Sequence, residues 1–143
     1  MVQIRRSALV RFTPEQMFDL VNDVEAYPKR FPWCVGASIL EHHENVMVAR
    51  LNLRLAGLRP SFTTRNTGHR PERLDMQLVD GPLRKLEGGW TFTSLGQQGC
   101  KVELNLDFDV AGGLGAAALR MGFQSLANRM VDDFCAEAEQ AYA

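Results

Sequence analysis

From Val102 to Val110 apolar and polar residues alternate without a break: Val102, Leu104, Leu106, Phe108 and Val110 on one side, Glu103, Asn105, Asp107 and Asp109 on the other. Period two is the signature of a strand with one dry and one wet face. Met47, Ala49, Leu51, Leu53 and Leu55 repeat it against Val48, Arg50, Asn52 and Arg54, and Leu74, Met76 and Leu78 do so more briefly. Leu86, Trp90 and Phe92 share one face around Gly88. Turn-forming residues separate these runs at Ala56-Gly57, at Asp80-Gly81-Pro82 and from Gly96 to Gly99. Short turns between consecutive strands predict a meandering antiparallel sheet.

The chain opens with a predicted strand over Gln3–Arg11, followed by a helix start. Thr13 can cap, Pro14 suits the first helical position, and Gln16 stands where a capping-box partner belongs. Phe12 and Met17 are spaced as a hydrophobic staple. This predicts a short helix from Pro14 to about Asn22, with a second over Asp23–Phe31 that ends before Pro32. After Gly112-Gly113 the period becomes helical: Leu119, Phe123, Leu126, Met130 and Phe134 fall on one stripe. That helix can extend about 27 residues, roughly 40 Å at 1.5 Å per residue, and needs a broad sheet to lie along. The predicted fold is α+β: a curved antiparallel sheet of about seven strands, two short helices and one long C-terminal helix, in a helix-grip arrangement. Leu119, Phe123, Leu126 and Met130 should face the sheet.

At 143 residues the chain fits a single domain, residues 1–143. Hydrophobic residues make up 45% and charged residues 23%, which excludes a disordered chain. A net charge of −1 gives no global drive toward nucleic acid. The charge is uneven, however: Arg50 to Lys85 holds eight basic residues against three acids, and Glu103 onward holds seven acids against two arginines. Cys34, Cys100 and Cys135 form no CxxC pair, so neither a disulfide framework nor a zinc motif is expected. The N-terminus lacks the apolar run of a signal peptide, and no stretch has the ~18 apolar residues of a membrane span. A cytoplasmic protein with reduced thiols is the expectation.

Two segments carry a family resemblance. YPKRFPWC, Tyr27 to Cys34, resembles the Tyr-Pro-x-Phe-Leu-Pro-Trp-Cys segment of the coenzyme Q-binding and ribosome-association-toxin family, and GPLRKLEGGWTF, Gly81 to Phe92, resembles its Gly-Pro-aromatic strand. SFTTRN, Ser61 to Asn66, and the C-terminal MVDDFCAEAEQAYA are weaker echoes. The resemblance covers nearly the whole chain. It implies a START-like domain and two functions: binding of ubiquinone in support of respiration, or a toxin that blocks ribosomal subunit association. Arg30 stands where the family has Phe, Phe31 where it has Leu, and Leu83 where an aromatic is common; Pro60 interrupts the strand expected after Gly57.

Tyr27, Phe31, Pro32 and Trp33 read either as a rigid aromatic lip over a cavity mouth, since aromatics combine large contact area with a polar handle, or as a helix-to-strand corner packed into the core, and the two are compatible. Leu119, Phe123, Leu126 and Met130, facing Trp90, Phe92 and, through the resemblance, Leu83, would line an apolar pocket or pack as plain core. The glycines at 112, 113 and 115 form a turn or a hinge. Arg84 and Lys85 would meet a quinone head, phosphate or an anionic membrane surface. For catalysis the chain offers little. His42 and His43 point to opposite sides of a strand, His69 sits beside Arg70 in a predicted turn, and no phosphate loop is present. The expectation is a non-enzymatic carrier of a hydrophobic ligand, ubiquinone foremost, with no metal and no cofactor. It would sit in the cytoplasm, in peripheral contact with the inner face of the membrane. A ribosome-contacting regulator and a cyclase-like enzyme using a buried acid are the alternatives.

Overall fold

The computed structural model describes residues 1–97 and 99–142. Seven strands form one antiparallel sheet: β1 (Val2–Val10), β2 (Cys34–His43), β3 (Val46–Leu53), β4 (Ser61–His69), β5 (Arg73–Asp80), β6 (Leu83–Ser94) and β7 (Cys100–Val110). Their spatial order is β1-β7-β6-β5-β4-β3-β2, so six strands meander and the first adds itself beside the last. The helices are α1 (Pro14–Asn22), α2 (Tyr27–Arg30) and α3 (Ala116–Tyr142), with a one-turn 3-10 helix at Val24–Ala26. The second predicted short helix is thus two pieces. Pro28 lies inside the first turn of α2, where its missing N–H costs no hydrogen bond.

The strand alternation is realised in full on β7: Cys100, Val102, Leu104, Leu106, Phe108 and Val110 are buried, and the residues between them are half-buried. The helix start forms as the capping box predicts. The Gln16 N–H donates to Thr13 Oγ1 at 3.1 Å and the Thr13 N–H donates to Gln16 Oε1 at 2.9 Å. Pro60 lies in the gap between the Leu55–Leu58 bridge and β4, so the strand expected after Gly57 is interrupted there. Its carbonyl accepts from the Leu53 N–H at 2.9 Å and β4 begins one residue later.

β6 approaches both neighbouring strands most closely at Gly88-Gly89. A Cβ at Gly88, whose φ is +138°, would lie 2.0 Å from the carbonyl oxygen of Asn105 on β7, and one at Gly89 would lie 2.2 Å from that of Leu74 on β5. Only glycines admit such close backbone approach on both sides.

α3 is 27 residues long and packs on the inner face, mainly against β1 and β7. Leu119, Phe123 and Leu126 are buried there as predicted, while Met130 is only partly so. The buried stripe is wider than the sequence pattern suggested, because Gly122, Ala127, Val131 and Ala138 also face inward. Gly122 brings the helix directly onto the β3–β4 hairpin, where a Cβ would sit 3.0 Å from Leu55 Cβ and 3.3 Å from Ala56 Cβ. Gly113 and Gly115, both with positive φ, form the turn that starts α3.

Candidate functional site

Between the sheet and α3 lies a cavity of about 70 Å³. Six of the sequence-predicted residues line it: Tyr27, Trp33, Trp90, Phe123, Leu126 and Met130. Phe31, Leu83, Phe92 and Leu119 are buried in the core outside it, and Pro32 is exposed at the surface. Most of the remaining lining comes from β3, β4 and β5, including Leu51, Phe62 and Met76. Two of those residues are polar, Thr64 and Asn66. Sequence reading missed both. Phe62, Thr64, Asn66 and Gly68 face inward on β4 while Thr63, Arg65 and Thr67 alternate with them, and neither set is clearly apolar.

The aromatic segment is not an open lip. Phe31 stacks on Trp33 with centroids 4.8 Å apart, and Phe134 of α3 meets Phe31 at 4.6 Å and Tyr27 at 5.4 Å. The Tyr27 hydroxyl donates to the Val21 carbonyl. Burial, then the neighbouring Cys34, pushes that hydroxyl far above its ordinary range. Phe134 of α3 packs in the middle of the segment, against Phe31, Tyr27 and Trp90. Arg30, the departure from the family pattern, reaches Glu137 of α3 at 3.4 Å and Asp23 at 3.6 Å.

Trp33 and Leu126 form a partition. Both line the inner cavity and also an outer groove of about 310 Å³ beside Arg54, Gly122 and Arg129. The Trp33 indole N–H donates to Asp133 Oδ2 at 3.0 Å, and Arg129 Nε donates to the same oxygen at 3.1 Å. A second groove, of about 560 Å³, lies on the outer face of the sheet over Gly88 and Gly89, where side chains are missing.

Charge on the outer face is sorted by strand. Arg84 reaches Asp109 at 3.7 Å and Lys85 reaches Glu87 at 3.1 Å, so both predicted contact residues are engaged with acids. The stretch Asn45–Pro71 contains no Asp or Glu and five arginines. Of these, Arg70 pairs with Asp19 at 2.8 Å. Arg50, Arg54, Arg59 and Arg65, all exposed, make no ion pair among the described residues.

Among the described residues no group of three or more His, Cys, Asp or Glu is gathered at metal-binding distance. His69 faces Asp75 at 3.4 Å and His43 faces Glu41 at 3.8 Å, both at the surface. The Cys34 Sγ–H donates to the Gly36 carbonyl. No helix of the described residues is long and apolar enough to cross a membrane.

Residues 10–135 match the family described as polyketide cyclase/dehydrase and lipid transport. The chain belongs to this family. The START-like chain is 43% identical over 143 residues to the ribosome association toxin RatA of Escherichia coli K12, covering all of this chain and 90% of that protein. Its fold superimposes on the Zhui aromatase/cyclase from a Streptomyces species with a TM-score of 0.88 at 18% identity, covering 99% and 96% of the two chains. A START superfamily protein from Mycobacterium smegmatis gives 0.83 at 20% identity, covering 97% and 98%. The seven-stranded sheet gripping a long C-terminal helix is therefore the START-like fold.

Proposed function

We propose that this START-like chain is a non-enzymatic, ribosome-directed regulator that acts in the cytoplasm and hinders subunit association. The observation that carries the reading is the 43% identity, along the whole chain, to a protein named as a ribosome association toxin. The surface supports it. Arg50 and Arg65 are diagonal neighbours on the outer face of β3 and β4, and Arg54 and Arg59 flank the turn that joins those strands. Four arginines without acidic partners form a surface suited to RNA phosphates, whose binding releases counterions. The test is sedimentation of separated small and large subunits after mixing with the protein. Wild type should reduce the associated peak. A variant with Arg50, Arg54, Arg59 and Arg65 changed to Glu should not, while keeping its unfolding midpoint. Undiminished association with wild type at stoichiometric excess refutes the reading.

A second reading, that the chain binds an apolar ligand, rests on the cavity. Its lining is almost wholly hydrophobic, as ligand pockets are, and ubiquinone is the ligand we propose. At 70 Å³ the cavity is too small for a quinone ring, since even benzene occupies a cavity of about 150 Å³. Entry would require Trp33 and Leu126 to part and Met76 and Met130 to change rotamer, which unbranched methionines do readily. The polyprenyl tail would gain roughly 0.8 kcal/mol per CH2 withdrawn from water. In this reading the free arginines bring the protein to an anionic membrane surface, each contributing on the order of 1 kcal/mol. Organic extraction of protein purified from its native host, followed by mass spectrometry, should yield a quinone. An extract free of isoprenoid lipid refutes this second reading.

A further inference from the structure

The cavity is apolar everywhere except at one place on its floor. Asn66 is only 6% exposed and is one of two buried polar residues among the described residues, the other being Thr63 on the opposite face of β4. Its Oδ1 accepts from Thr64 Oγ1 at 2.9 Å. Its Nδ2 bonds to no described residue; since no fully buried side-chain N or O lacks a partner among the described residues, this atom keeps some accessible surface, and Asn66 and Thr64 both line the cavity. The residues paired with Asn66 across the sheet are Met47 on β3 and Met76 on β5, so neither neighbouring strand offers a strong acceptor. A buried amide normally has its hydrogen bonds satisfied. One whose NH2 faces a cavity is satisfied by what enters that cavity.

We infer that Asn66, held in orientation by Thr64, is the polar anchor of the cavity. It donates a hydrogen bond to the carbonyl oxygen of a flat, otherwise apolar ring ligand. The inference rests on the apolar-ligand reading above and adds the chemical class of ligand and the residue that selects it. The directionality follows from the pair. The Thr64 hydroxyl donates to Oδ1, which fixes the amide with its oxygen toward Thr64 and leaves the two N–H donors as the groups a ligand can engage. Water can make the same hydrogen bond to an N–H. A carbonyl on the ligand replaces that water and keeps its hydrogen bond, whereas a hydrocarbon displaces it without compensation. Trp90 and Phe123, also in the lining, supply ring faces for stacking.

The test compares two probes of nearly equal shape, 2-methyl-1,4-naphthoquinone and 2-methylnaphthalene, by equilibrium dialysis against the full chain. Asn66→Leu, close in size and apolar, should weaken the quinone about five- to ten-fold, the span of one hydrogen bond. It should leave the hydrocarbon within about two-fold. Thr64→Val, which keeps the branched shape and frees the amide to rotate, should weaken the quinone by a smaller factor of about two to three. It provides the measurement if the Asn66 variant fails to fold. Quinone affinity unchanged in the variant that folds, or lost equally for both probes, overturns the anchor and leaves the apolar-ligand reading standing. Failure of both probes to bind wild type at any soluble concentration overturns the two together.

Discussion

Replacing Phe134 with Ala tests whether the aromatic segment is a sealed wall or an open mouth. Phe134 is fully buried and its ring meets Phe31 at 4.6 Å, Trp90 at 5.2 Å and Tyr27 at 5.4 Å. Truncating a buried Phe to Ala typically costs about 3–5 kcal/mol, the spread reflecting how far the site collapses. Here collapse is hindered. Trp33 is pinned by Asp133 and Tyr27 by the Val21 carbonyl, so the surrounding rings cannot all close the void. Each aromatic pair adds about 0.5–1.5 kcal/mol beyond its area, and three are lost at once. The expected cost is about 5 kcal/mol, at the upper end of that range. Urea unfolding followed by tryptophan fluorescence reads it directly, with the midpoint falling and the slope unchanged. A double-mutant cycle with Phe31→Leu should return a coupling of about 1 kcal/mol. A loss below about 2 kcal/mol would mean the cluster is loosely packed, and the reading of the aromatic segment as a tightly packed wall would fail.

Three further outcomes follow from the same geometry. Gly88→Ala places a Cβ 2.0 Å from a backbone oxygen at a φ of +138°; it should cost more than about 3 kcal/mol, and a thermal midpoint within 3 °C of wild type would refute the close approach. Burial pushes the Cys100 and Cys135 thiols from an ordinary 9.0 up to about 11. The folded state then keeps protons that the unfolded chain releases, so this contribution is fully present below pH 9 and is lost as pH rises toward 11. The urea midpoint should fall between pH 8.5 and 10.5, less steeply in the Cys100→Ala, Cys135→Ala variant; equal slopes would show the thiols uninvolved. Phe123→Trp fills space beside the cavity, so it should cost less than the ~1–3 kcal/mol of overpacking a full core and should lower co-purifying quinone; a stable variant with undiminished quinone content would defeat the cavity reading.

Much of the architecture was legible because single-face burial imposes a period that composition alone cannot imitate. β7 has one face inside along its whole length, and its alternation was unbroken. Thr13, Pro14 and Gln16 act locally, so the start of α1 could be read without knowing its neighbours. The helical stripe was found at Leu119, Phe123 and Leu126, but its width was not. Gly122, Ala127 and Ala138 carry too little hydrophobicity to register, and face inward because the sheet lies close. The candidate site was harder. Phe31 and Trp33 read from sequence as a lip or a packed corner, and the choice turned on Phe134, about a hundred positions away, which packs against Phe31. Thr64 and Asn66 look like an ordinary polar strand segment until Ala49, Leu51 and Met76 place them on the cavity side. Arg84 and Lys85 looked free in the sequence because Asp109 approaches only through the pairing of β6 with β7.

Gly122 is where the helix and the arginine-bearing hairpin touch with no side chain between them. Seven paired strands hold the sheet side together, so an occupant larger than the present cavity would have to be accommodated at α3. An occupant that displaced Phe123 and Leu126 would also disturb the Gly122 contact with Leu55 and Ala56, and with it the turn that carries Arg54 and Arg59. Thermodynamic linkage makes the traffic two-way: whatever free energy a polyanion on the hairpin gains or loses from a filled interior, the occupant gains or loses in equal measure from the polyanion. The small residue at position 122 would thus let a metabolite inside the domain be felt by a macromolecule outside it.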